Sequence, residues 1–104
     1  MRISESHIDI MYEKTRAVLS TVNGSEVYSA FCTIKSYDGE ILLDTLDEDQ
    51  INQIKENEKV SIMVIDPTNM GRWLCIQGTI KLKEIQDPRF SVKIKKIIKF
   101  PKEN

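Results

Sequence analysis

Two dipeptides constrain this chain more than any other feature: Asn23-Gly24 and Asp38-Gly39, each set between runs rich in apolar residues. A two-residue hairpin turn needs its central residues at positive φ, which Asn, Asp and Gly reach at least cost, so the flanking strands must fold back antiparallel. RAVLSTV (16–22), VYSAFCTIK (27–35) and EILLDT (40–45) therefore predict the first three strands of a meander. In the second, Tyr28, Ala30, Cys32 and Ile34 alternate with Val27, Ser29, Phe31 and Thr33. Both sets are apolar or small, which predicts burial on both faces.

The period changes in LDEDQINQIKENEKV, where Asp47 can serve as N-cap, acidic residues occupy the first turn, and Ile51 and Ile54 share one face of a helix ending near Asn57. SIMVID (61–66) reads as a strand stopped by Pro67. WLCIQGTIKLKE (73–84) is a long strand in which Gly78 marks a bulge or a close backbone approach, and FSVKIKKIIKF (90–100) follows the turn at Asp87-Pro88. At the N-terminus, Ser4 is expected to cap a helix over 5–14 with Ile8, Met11 and Tyr12 in one apolar stripe. Six strands with two short helices predict a mainly β fold, an antiparallel barrel or sandwich, because closure protects strand edges. The 104 residues suffice for one domain, 1–104, with a core small enough that dimerisation would add useful stability.

Charge and composition narrow the function. Fifteen Lys and Arg against sixteen Asp and Glu leave a net charge of −1, yet residues 81–104 hold eight basic and three acidic residues. Lys93, Lys95 and Lys99 alternate with Val92, Ile94 and Ile98 like the solvent face of a strand, with Lys96 out of step. Nucleic-acid binding would call for aromatic side chains among these lysines, and only Phe90 and Phe100 flank them, so nucleic acid is not the expected partner. No apolar run has the length of a membrane span, and charges interrupt the N-terminus where a signal peptide needs an apolar stretch, so a cytoplasmic protein with no membrane contact is expected. Cys32 and Cys75 lie within apolar runs and read as buried, reduced thiols.

Common catalytic constellations are missing. His7 is the single histidine, which leaves neither a His-rich metal site nor a nucleophilic triad, and no GxSxG, GxGxxG or GxxxxGK string occurs. Asp47, Glu48 and Asp49 are accounted for by the helix dipole without a cation. No metal ligand and no catalytic residue is assigned from the residues.

The succession RAVLSTV, hairpin, YSAFCTI, DG turn, EILLDT, helix, then NEKVSIMVIDPTN and RWLCIQG resembles the flavin split-barrel family related to pyridoxamine-phosphate oxidase. In that family a helix ends in an Asn-Pro-Arg-Val-like turn, a strand runs out at Asp-Pro, and an Arg-aromatic pair leads into a strand ending in Gly. The matching positions are Asn57 to Val60, Asp66-Pro67, Arg72-Trp73 and Gly78.

The resemblance implies a homodimer of six-stranded antiparallel split barrels, with FMN, or in one branch a deazaflavin coenzyme, at the subunit interface beside a small-molecule substrate. Its implied cofactor-binding residues are Arg16, Val18, Leu19, Ser20 and Thr21 on the first strand, Thr45 after the third, Gln50 on the helix, and the pair Arg72 and Trp73. Arg16 would grip a phosphate and Trp73 would cover a ring. Two departures accompany the match. Asp49 and Gln50 stand where the family places a basic pair against the phosphate, and unit charges of like sign about 4 Å apart repel by roughly 4 kcal/mol at an effective dielectric of 20. Only IQDP replaces the helical stretch that usually precedes the last strand. The resemblance therefore implies an FMN-binding protein of flavin-dependent oxidoreductase type with an unknown substrate. The alternative is a cofactor-free dimeric barrel that binds another ligand.

Overall fold

The computed structural model describes residues 2–11, 15–44, 46–84 and 89–102. Six antiparallel strands, β1 (Thr15–Asn23), β2 (Glu26–Asp38), β3 (Glu40–Asp44), β4 (Lys59–Asp66), β5 (Asn69–Glu84) and β6 (Arg89–Phe100), close into a barrel of order β1-β2-β3-β6-β5-β4. The fold is mainly β, a six-stranded split barrel. Among the described residues no helix is long and apolar enough to cross a membrane.

The two turn signals act as read. Gly24 and Gly39 sit at φ of 63° and 79°, and β1–β2–β3 form the expected meander. The change of period after β3 produces α1 (Glu48–Glu56), which begins with a capping box: Asp47 accepts from the Gln50 backbone N–H while the Gln50 side chain accepts from the Asp47 N–H. Ile54 is buried, Ile51 packs beside it, and the helix ends at Asn57 as its sequence indicates. Inside the barrel, Leu19, Ile34, Ile41, Leu43, Ile62, Leu74, Ile76 and Val92 are fully buried and form the core.

Four expectations change. The N-terminal helix is only a 3-10 turn at Ile8–Ile10; Ile10 and Met11 are buried while Ile8 is exposed, and positions 12–14 lie outside the described residues. Tertiary anchors outweigh the helical stripe: Ile3 N–H donates to Tyr37 Oη at 2.8 Å, and Asp9 pairs with Arg72. Cys32 is buried, but Cys75 is only half-buried on the outer face, against Ser61 Oγ at 3.4 Å; both are free thiols. The outer side of β2 is open within one chain, with Val27 68% and Phe31 66% exposed. Burial on both faces would need a second molecule.

The fourth change concerns β6. Gly78 pairs with Ile94 but Gln77 pairs with Lys96, so Lys95 is the extra residue of a β-bulge. The bulge reverses the inside and outside positions beyond it. Ile97 faces Ile76 and packs on the core, while Lys99 lies opposite core residue Leu74, half-buried, with Nζ donating to Ser4 Oγ at 2.9 Å. That reversal explains why Lys96 is out of step. Gly78 permits it, since a Cβ there would lie 2.2 Å from the Lys93 carbonyl oxygen. Gly78→Ala should therefore cost about 3 kcal/mol or more of stability, because backbone cannot yield as a side-chain end can. A urea midpoint within error of the native protein would show that the strands part without cost.

Candidate functional site

Strand register arranges the outward side chains of β2, β1, β4, β5 and β6 in rows. One row is apolar, running Phe31, Val18, Met63, Cys75, Ile98; the next is polar, running Ser29, Ser20, Ser61, Gln77, Lys96. Beyond the apolar row lie Arg16 and, farther round the barrel, Trp73 and Phe100, whose rings stack at 5.7 Å and 11°. Beyond the polar row lie Val27 and Val22, then Lys59, Thr79 and Lys93. The six residue steps from Arg16 to Val22 separate the two ends by about 20 Å. A cation thus stands at each end of a face whose middle is apolar and hydroxylic.

The sequence-predicted residues divide between this face and other places. Arg16, Val18 and Ser20 project together outward. Arg16 is exposed, its guanidinium lies 5.3 Å from the Phe31 ring centroid, and it forms no ion pair among the described residues. It lines a groove of about 350 Å³ with Val18, Phe31, Met63 and Thr15. The Thr15 hydroxyl is buried and, among the described residues, has no hydrogen-bond partner. Thr15 alternates with Ala17, Leu19 and Thr21 toward the interior, so its hydroxyl lies on the face of β1 opposite Arg16. Ser20 Oγ is 2.8 Å from Ser29 Oγ.

Leu19 points into the core and offers a ligand only its main chain. Thr21 also points inward, where its hydroxyl donates to the Gln53 side-chain carbonyl of α1. Gln50 is fully buried, with its carbonyl in the capping box and its amide directed at the Ala30 carbonyl at 3.4 Å. Thr45 lies outside the described residues. The start of α1 remains acidic: Asp47, Glu48 and Asp49 crowd it, and Tyr28 Oη donates to Asp47 Oδ2 at 2.8 Å. That hydrogen bond holds the Tyr28 phenol above its usual range. Burial pushes the Cys32 thiol up to about 12, which leaves it inert as a nucleophile.

Arg72 is engaged by its own chain. Its guanidinium donates to Asp66 Oδ2 at 2.9 Å, to both carboxylate oxygens of Asp9, and to the Ser6 carbonyl. Beside this clasp, Lys99, Ser4, Ser6 and His7 form a hydrogen-bonded chain ending on the Phe100 carbonyl, which places the His7 donor proton on Nε2. Asp9 is held below the usual carboxylate range by its bond to Arg72. Asp66 is held there chiefly by the Thr68 N–H and hydroxyl, then by Arg72. The Arg72 guanidinium is correspondingly raised by both carboxylates.

The fold is that of pyridoxamine 5′-phosphate oxidase-like split barrels. General stress protein 26 of Bacillus anthracis superposes with a TM-score of 0.78 at 16% identity, covering 95% of this chain and 94% of that one. An FAD-binding protein of Mesorhizobium loti gives 0.75 at 11% identity, over 91% and 92% of the two chains. An FMN-binding protein of Syntrophomonas wolfei gives 0.67 at 18% identity, over 95% and 84%. No protein-family profile and no curated protein sequence matches the chain. At these identities the likeness is one of fold, and the architecture implied by NEKVSIMVIDPTN and RWLCIQG is the one observed.

The lowered carboxylates carry a pH consequence. A group with a depressed folded pKa stabilises the fold above its unfolded value, near 4, and loses that contribution as pH falls through the folded value. The native chain should lose this contribution as pH falls below about 4, and Arg72→Gln should flatten that acid limb chiefly through Asp9, because the Thr68 N–H and hydroxyl still hold Asp66 down. Urea midpoints measured from pH 6 to 3 that run parallel for the two proteins would remove Arg72 from the linkage.

Proposed function

We propose that the protein is a homodimeric flavin-binding split barrel in which an FMN-type cofactor lies along the outer face of β1, between subunits, in an oxidoreductase role with a small-molecule substrate. The observation that carries this reading is the exposed Arg16 guanidinium, which forms no ion pair among the described residues, at the head of an apolar groove. The fold neighbours that bind FMN and FAD support it. When bound, the flavin would supply hydride or electron transfer, the chemistry for which the chain itself has no assigned residue. The residues here bind and orient: Arg16 holds the phosphate, Val18 and Phe31 give the ring an apolar bed, and the Ser20 hydroxyl serves a polar edge. A second subunit would cover Phe31, whose 66% exposure is high for a lone chain.

The contacts follow the geometry rather than the family pattern at every position. Gln50 and Arg72 hold the cap and the N-terminal clasp, and Leu19 and Thr21 would contribute through their main chain. The phosphate is accordingly assigned to the Arg16 end, away from Asp47, Glu48 and Asp49. The same acidic helix start favours a second reading, a dimeric barrel that binds a different small ligand and no flavin.

The visible spectrum separates the two readings. Protein incubated with excess FMN and then freed of unbound cofactor should retain a flavin band at about one per subunit and sediment as a dimer. Arg16→Ala should weaken FMN binding about tenfold or more while leaving riboflavin, which lacks the phosphate, nearly unaffected. No retained flavin in the native protein would favour the flavin-free barrel; equal losses for FMN and riboflavin would take the phosphate away from Arg16.

A further inference from the structure

The end of the outer face remote from Arg16 holds a second cationic site, which the flavin reading does not use. Lys59 and Lys95 line one groove of about 540 Å³ with Val22, Val27, Ser61 and Gln77. Lys59 is there because it belongs to the outward set of β4. Lys95 is there because it is the bulged residue of β6, opposite the Gly78 position where a side chain is not tolerated. The register places Lys96 across from Gln77, next to this groove, while Lys93, across from Thr79, lines a neighbouring groove with Glu40 and Lys81. Neither Lys59 nor Lys95 forms an ion pair among the described residues. Lys59 also borders the groove beneath α1, which Glu56 and Glu58 line, whereas neither glutamate lines the groove shared with Lys95.

Like charges gathered over an apolar floor repel one another and raise the local potential, and an anion entering the groove relieves that repulsion. Valine side chains beside the lysines cannot satisfy a free phosphate or a bare inorganic ion, but they suit a ligand with an apolar body. We infer that this groove binds an amphipathic organic anion, its body against Val22 and Val27 and its carboxylate or phosphate between Lys59 and Lys95, within reach of the Ser61 hydroxyl and the Gln77 amide. The inference goes beyond the flavin reading and does not require a bound cofactor. The anionic head can belong to a separate small molecule or be the phosphate of a flavin nucleotide; the recognising chemistry is the same.

The probe is 8-anilinonaphthalene-1-sulfonate, an aromatic anion that fluoresces in apolar grooves, with its uncharged relative N-phenyl-1-naphthylamine as the control. Both are titrated against the native chain and the Lys59→Gln, Lys95→Gln double variant. The sulfonate should bind the native chain and lose about tenfold or more in affinity in the variant, while the uncharged probe changes less than about twofold. Unchanged sulfonate binding, or equal loss of both probes, overturns the proposal. Displacement of the sulfonate by FMN but not riboflavin supports the site and overturns the assignment of the flavin phosphate to Arg16. Displacement by octanoate but not FMN supports it as a site for a separate ligand. Charge-dependent probe binding in a protein that retains no FMN sinks the flavin reading and leaves this one standing.

Discussion

The pairing of β1 with β4 is the interaction on which the rest of the structure depends. β1 begins a meander that would otherwise leave an open edge, and only its register with β4, from Val18 opposite Met63 to Thr21 opposite Val60, closes the barrel. Closure has two effects. It removes the exposed ladder of N–H and C=O groups that an open sheet presents, and it encloses Leu19, Ile62 and their neighbours from all sides. It also brings Ser20 beside Ser61 and Val18 beside Met63, residues far apart in sequence, and thereby creates the outer face on which every proposed ligand contact lies.

The two ends of the barrel are finished differently. α1 covers the end near Thr21 and Tyr28 and ties itself down with Gln50, Gln53 and Asp47. The opposite end is closed by the N-terminal segment, whose Ile3, Ile10 and Met11 complete the core while Arg72 and the His7 chain hold it in place. Polar residues that look available in sequence, such as Gln50 and Arg72, are spent on these closures. Those along the outer rows are short hydroxyls, the Gln77 amide, Arg16 and lysines, a set suited to gripping anions and positioning a flat apolar body rather than to acid–base chemistry. A redox role for such a face has to come from a bound cofactor.

Local chemistry made much of this legible in the sequence. Asn23-Gly24 and Asp38-Gly39 determine their turns because positive φ is a property of the residue itself, and Asp47 with Gln50 determines the start of α1 because a cap involves neighbours only. The same holds for strand count and for Gly78 as a place of close approach. The N-terminal stripe misled because a periodic pattern records which residues are apolar, not which contacts compete for them. Ile8 stays exposed while Ile10 is buried, since the Asp9–Arg72 pair and the Ile3–Tyr37 bond set the path of the chain.

Tertiary structure alone decided the rest, because it depends on partners remote in sequence. The bulge at Lys95 arises where β6 meets Gly78, and it alone sends Lys99 toward the barrel end and Lys95 toward the groove shared with Lys59. That Arg16 forms no ion pair among the described residues, and that Arg72 is engaged, likewise follow from who stands opposite whom. By itself the sequence determined which segments become strands, where they turn and where the helix begins. Which side chains remain free to meet a ligand was decided only when the barrel closed, since availability is what packing and pairing leave over.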